Sequence, residues 1–347
     1  MFEKNLKFYR LKKGLSMKEL ADRSGLTSMA ISNYESGKRM PDMDVLKRLA
    51  TELDVRVSDF LAVRNEKLVF FHGEFRKISS MPQKEQEYIR ESVEEHFSRF
   101  YTAVELLGGE VLPEEPKCHQ LTISGDAEKD AQVMRRFLKL AETGPVGNLV
   151  EILENKGFLV LDCRIGNHKF SGMNGTVNGR PYVVYNSSMS TERNRSTIAH
   201  ELAHLLFQWP DSMPEDEAEH YATAVSGAFL MPAEDAVREL GIRRKQITAD
   251  MQMICREYGI SMYLLTKRAR ITGIINESAE KEFYMKAGAM GWRKNEPSRI
   301  LPEEPLLFQQ LVYRAVGEEE ISIQKGAELL KLPYGQVRDA CCFNGEQ

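Results

Sequence analysis

The chain has 347 residues, 42% of them hydrophobic and 28% charged, a balance that excludes a disordered tail and suits two or three folded domains. No apolar run approaches the roughly 18 residues of a membrane helix, and the five cysteines, with no C-x-x-C spacing, argue against a disulfide framework or a cysteine-based zinc ribbon. The net charge of −4 is unevenly spread: residues 1–62 hold 12 Lys and Arg against 9 Asp and Glu, so only the front end suits a polyanion. The opening residues are basic but lack an apolar segment, so a reduced, cytoplasmic compartment is expected.

Residues 4–61 read as a compact helical unit, with Leu6, Tyr9, Leu11 and Leu15 at helical spacing. Ser16 followed by Glu19 is a capping box, which predicts a helix over 17–24 stopped by Gly25. Thr27 or Ser28 opens a second helix that ends at Ser36-Gly37. Two short helices joined by Ser24-Gly25-Leu26-Thr27 form a helix-turn-helix. The runs Leu15–Ala21, Gly25–Thr27 and Ile31–Pro41 resemble the phage-repressor type of that motif, the Xre/Cro family. The resemblance implies that the second helix enters the major groove of a double-stranded DNA operator, with Ser28, Met29, Ser32 and Asn33 facing bases. Arg10, Ser16, Lys38 and Arg39 would face phosphates. Met17 stands where many members place a phosphate-touching Gln. This readout lacks an Arg–guanine fork, so modest affinity per site and a homodimer are expected.

Residues 63–144 read as a helical connector, with amphipathic helices over 84–107 and 127–142 and a break at Leu112–Pro116. Nothing in it looks chemical, and His96 and His119 read as structural. A short helix over 147–156 precedes a change of periodicity. Strands are expected at 158–161, 169–173 and 180–185, with a turn at 175–179, as a small β-meander. The expected fold class is mainly α with that meander, an α+β arrangement.

The next helix carries His200-Glu201-Leu202-Ala203-His204. Residues four apart lie one turn apart on a helix face, so both imidazoles can reach one metal ion, with Glu201 beside them as a proton acceptor. A catalytic zinc needs a third protein ligand, and helical geometry leaves Glu215, Glu217, Glu219 and His220 open. The run Arg195–Leu205, followed by Glu215-x-Glu217-Ala218-x-x-Tyr221-Ala222 and Phe229-Leu230-Met231-Pro232, resembles the ImmA/IrrE metallopeptidase family. The resemblance covers about 145–290 and implies a zincin-like domain with one Zn2+ per chain, Glu217 as the third ligand and Glu201 as the catalytic base. Glu219 and Tyr221 replace that family's usual Asn and Phe. His220, Tyr221, Tyr185 and Arg193 are the candidates for oxyanion stabilisation or outer support.

The expected division is a DNA-binding head at 1–62, the connector at 63–144, the peptidase at 145–290 and a helical C-terminal region at 291–347. Ser261–Ala269 bears a faint likeness to a second helix-turn-helix and reads as packing. The functional expectation is a DNA-binding regulator with a zinc endopeptidase that cuts a repressor or related regulatory protein in a mobile-element or stress response. Its rivals are a repressor with a structural or sensory metal site, and a toxin–antitoxin type partner that holds another chain without cutting it.

Overall fold

A computed structural model gives the structure of residues 1–73 and 81–342. In chain order the elements are α1 (Phe2–Lys12), α2 (Met17–Ser24), α3 (Ser28–Glu35), α4 (Met43–Leu53), α5 (Val57–Phe60), β1 (Phe70–His72), α6 (Gln83–Leu106), β2 (Leu121–Thr122), α7 (Ala127–Phe137) and α8 (Leu149–Asn155). There follow β3 (Leu159–Asp162), β4 (Gly172–Val177), β5 (Arg180–Tyr185), α9 (Thr191–Leu206), β6 (Phe207–Gln208), α10 (Glu215–Leu230), α11 (Ala233–Leu240), α12 (Gln252–Tyr258) and α13 (Met262–Ile271). The chain continues through α14 (Glu277–Ala289), α15 (Trp292–Asn295), α16 (Leu307–Gly317), α17 (Ile323–Leu330) and α18 (Tyr334–Cys341). Among the described residues no helix is long and apolar enough to cross a membrane.

The chain divides into two compact units, and the division cuts across the expected connector. One unit joins residues 1–70 to 81–111 and to 308–342; the other holds 71–73 and 112–307. Residues 74–80 of the expected connector lie outside the described residues.

In the first unit, the capping box at Ser16 is formed: Glu19 N donates to Ser16 Oγ, and Ser16 N donates to Glu19 Oε2 at 2.6 Å. Gly25 takes the left-handed conformation (φ 64°) that ends α2, and Thr27 caps α3. Leu6, Leu20, Ile31, Leu49 and Phe60 make the fully buried centre of this head. Helix α6 packs directly on it. Tyr88 stacks on Phe8, and Arg64 lies over Phe8 while reaching Asn5 and Glu91. The 84–107 segment is thus part of this unit: Tyr88 packs on the head's core, and further along its apolar stripe Phe100 meets Phe308 of α16.

The last three helices repeat the first three in outline. Helices α16, α17 and α18 have 11, 8 and 8 residues, as do α1, α2 and α3. Ser322 caps α17 as Ser16 caps α2, and Lys331 adopts φ 54° and ψ 36° where Gly25 has 64° and 38°. Ala327 and Val337 are buried where Ala21 and Ile31 are. The charge differs: residues 2–35 carry 7 basic and 4 acidic side chains, residues 307–341 carry 4 and 5. The second copy has the shape of a DNA reader without its positive field. The pair α12–α13 shares the left-handed turn, at Gly259, but α13 buries Met262, Leu265, Thr266 and Ala269, consistent with the packing role expected for Ser261–Ala269.

In the second unit a four-stranded sheet runs β1-β4-β5-β3. Strands β4 and β5 form a hairpin turned by Asn178 and Gly179, both at positive φ, as an Asn-Gly pair favours. Strand β3 pairs parallel to β5, so the expected meander is instead a mixed sheet, and its second strand extends to Val177 because the tight turn needs only two residues. Helix α9 packs across β4 and β5 and against α10. Helix α7 is integral here. Arg135 bonds the carbonyls of Phe229, Ala141 and Gly144, and Glu128 pairs with Arg268. Residues 298–303 strap α9: Arg299 N and Ser298 Oγ donate to Glu192, and Glu303 pairs with Arg195.

Two outcomes follow for the head. Arg10 and Glu35 are both 4% exposed and joined by two bonds of 2.5 and 2.8 Å, so Arg10→Ala should cost about 3–5 kcal/mol in chemical denaturation by stranding Glu35. Burial and the Arg99 charge push His96 down to about 3; Glu95, which burial alone would raise, is drawn to about 2 by Arg99 and Lys331. Both sites bind protons more readily when unfolded. Stability should therefore fall as pH drops below about 6.5 through His96, and further below about 4.5 through Glu95. Urea midpoints of the helical signal measured across this range check it, and His96→Phe should flatten the first decline.

Candidate metal centre and DNA-reading helix

Helix α9 exists because Glu192 is anchored near its start and its apolar residues Ile198, Ala199, Leu202, Leu205 and Leu206 are buried. That burial fixes its rotation and turns His200 and His204 toward α10. Their Nε2 atoms stand 3.1 Å apart. Glu219 of α10 completes a triangle, with Oε2 3.3 Å from His200 Nε2 and Oε1 3.1 Å from His204 Nε2. Four ligands about 2.0–2.1 Å from a tetrahedral zinc lie roughly 3.3 Å from one another. The two imidazole nitrogens lie near that spacing from each other, and each lies near it from one oxygen of the Glu219 carboxylate.

Surrounding groups orient the donors. Thr223 Oγ1 lies 3.4 Å from His200 Nδ1 and donates to the Glu219 carbonyl. With its own proton on that carbonyl, Oγ1 is left to accept a hydrogen bond from Nδ1–H, the tautomer whose Nε2 lone pair faces the triangle. The Trp209 ring packs against His204, 5.0 Å between centroids, and its N–H donates to the His204 carbonyl. Glu201 is buried on the adjoining face of α9, where Asn174 Nδ2 of β4 donates to its Oε2 at 2.7 Å.

Glu217, the carboxylate expected as third ligand, is exposed and outside the triangle. Residues two apart on a helix project about 200° apart, so α10 can present only one of Glu217 and Glu219 to α9. Glu219 shares a helical stripe with Ala222, Thr223 and Ser226, all small residues, and Thr223 Oγ1 reaches His200 of α9. That stripe was the available signal. Among the oxyanion candidates, His220 and Arg193 are exposed, Tyr185 donates to the Glu303 carbonyl, and Tyr221 donates to Asp130 at 2.5 Å. Burial and the Asp130 bond raise the Tyr221 pKa, so its phenol stays protonated and supports Trp209 edge-on. Asn174, Thr223 and Trp209 carry no local sequence signature. His119 Nδ1 donates to the Phe207 carbonyl at 3.1 Å, a structural role. Burial pushes the Cys163 and Cys255 thiols up to about 12, so neither is a ready thiolate.

In the head, Ser28 and Met29 open α3 in solvent, Met29 at 68% exposure, while Ser32 and Asn33 are half-buried along its side. Lys38 and Arg39 are exposed just beyond it. Of the other expected phosphate contacts, Arg10 is buried and paired with Glu35, while Ser16 is half-buried with its Oγ accepting from Glu19 N in the capping box.

A helix-turn-helix head followed by a His–His–Glu cluster on two packed helices defines a DNA-binding regulator joined to a metallopeptidase-like domain. Residues 6–60 match the helix-turn-helix family and residues 153–270 match the IrrE N-terminal-like domain. The chain is 37% identical over 84 residues to the uncharacterized HTH-type transcriptional regulator YqaE of Bacillus subtilis (strain 168), covering 24% of this chain and 71% of that one. It is 41% identical over 61 residues to the SPbeta prophage-derived uncharacterized HTH-type transcriptional regulator YonR of the same strain, covering 18% and 56%. No solved structure gives a significant match. The chain belongs to the Xre-type helix-turn-helix transcriptional regulators and carries an IrrE/ImmA-like domain behind its DNA-binding head.

The ligand geometry makes a direct prediction. Glu219→Gln should weaken zinc binding more than about a hundredfold, Thr223→Ala by about tenfold, and Glu217→Gln not at all, as measured by competition with a chromophoric chelator.

Proposed function

We propose that this regulator is a zinc-dependent endopeptidase that cuts a regulatory protein while its head holds a DNA operator. The observation that carries the reading is the triangle of His200, His204 and Glu219 with Glu201 oriented beside it. Two neutral imidazole nitrogens and a carboxylate are the donor set of a catalytic zinc, which keeps one position open for solvent. When bound, zinc supplies Lewis acidity toward water and a carbonyl oxygen. Glu201 does the proton work. Asn174 holds Oε2, which leaves Oε1 to take a proton from water as it attacks the peptide carbonyl and to return it to the leaving amine nitrogen. The apolar shell of α9 and the sheet keeps that carboxylate partly dry and the exchange local.

On the DNA side, Ser28, Met29, Ser32 and Asn33 face the major groove, Met29 offering apolar contact to a thymine methyl. Lys38 and Arg39 meet phosphates, and two chains bind as a homodimer. A regulator that reads DNA works in the cytoplasm, and cysteines without paired spacing suit that reducing compartment.

The zinc-loaded chain and its Glu201→Gln variant are incubated with the purified product of the adjacent gene, and fragments are read by mass spectrometry. Wild type should cleave it at a single site and Glu201→Gln at least about a hundredfold more slowly with zinc retained. A fully metallated wild type that leaves the partner intact overturns the peptidase reading in favour of a structural or sensory metal. For the head, Arg39→Ala in the full chain should weaken binding to all duplexes alike and lower the salt slope by about 1, while Asn33→Ala should change sequence preference.

A further inference from the structure

The edge of the sheet beside Glu201 is already taken by a strand of this same chain. Residues 71–73 belong with the second unit although the chain on both sides of them belongs with the first. They lie on β4, the strand whose Asn174 holds Glu201. Gly73 N donates to the Asn174 carbonyl at 2.8 Å. A Cβ on Gly73 would lie 2.7 Å from both Asn174 O and Asn174 Oδ1, and one on Gly175 would lie 2.4 Å from Phe71 O. The two backbones are therefore in full contact, and only glycine fits opposite Asn174. One residue earlier, His72 Nδ1 meets Tyr182 Oη at 2.6 Å. Gly73 thus touches the side chain that positions the proposed base.

We propose that residues 70–73 are a resident strand occupying the edge on which an extended substrate segment pairs, and that the substrate binds by displacing them. This rests on the peptidase reading. Main-chain pairing along an open edge is a general way for a sheet to hold an extended peptide. The resident strand defines what fits: an extended segment with a glycine against Asn174, preceded by a hydrogen-bonding side chain that reaches Tyr182. It is also built to leave. Three residues is the short limit for a strand, and Phe71 is 67% exposed, so its departure uncovers little apolar surface. With the strand in place the edge is closed, and the chain is held at low activity until a matching segment competes for it.

The probe is a fluorescent peptide with the sequence of residues 66–73, Glu-Lys-Leu-Val-Phe-Phe-His-Gly, titrated into zinc-loaded full-length chain carrying Glu201→Gln. Adding Gly73→Val, which cannot seat against Asn174, should tighten peptide binding at least tenfold. Adding His72→Ala, which removes the tie to Tyr182, should tighten it several-fold without new bulk, so a folding defect in the first variant does not decide the matter. In chains retaining Glu201, His72→Ala should digest β-casein at least threefold faster than wild type. Peptide binding unchanged by both substitutions overturns the resident strand, even if casein is digested. Tighter peptide binding with no digestion by any chain upholds the strand and fails the peptidase.

Discussion

The close approach of α9 and α10 is the constraint on which the second unit depends. His200 and His204 meet Glu219 because α10 packs along α9, with Thr223 Oγ1 3.4 Å from His200 Nδ1. The same approach orders the outer groups. Thr223 links the Glu219 carbonyl to the His200 ring, and Trp209 and Tyr221 relay His204 to Asp130 on α7. The two imidazoles and the Glu219 carboxylate converge to gaps of 3.1–3.3 Å, a cluster that could hold a metal ion.

Local chemistry was readable directly. The capping box at Ser16, the left-handed stop at Gly25 and the histidine pair on one helix face all formed as their residue types demand, since each depends on neighbours within one or two turns. What depended on rotation or distant contact was not readable. A periodic helix announces its apolar side, yet the choice between Glu217 and Glu219 turns on which polar position borders that side, and the family pattern pointed one turn face away. Asn174 meets Glu201 across 27 positions, and nothing near either residue signals the other. Arg10 was assigned to phosphate by its position in the repressor-type motif, whereas the fold buries it against Glu35.

The expected connector shows the same limit at larger scale. Amphipathic helices over 84–107 and 127–142 were visible, but an apolar stripe does not say which core will cover it. One went to the head and the other to the second unit, as the Phe8–Tyr88 stack and the Arg135–Phe229 bond show. The repeated three-helix outline at 307–341 escaped notice because its glycine turn is replaced by Lys331, which reaches the same dihedral angles without the residue type that advertises them.

Interleaving of this kind constrains how the protein can be divided. A fragment begun at residue 145 would lack Arg135, leaving the Phe229 carbonyl without its partner, and Asp130, which receives the Tyr221 proton. A head ended at residue 62 would expose the Phe8 face that α6 covers. Neither half is a cassette that can be cut out at the seam its motifs suggest, and exchange of either with a foreign protein must carry pieces from both sides of the join.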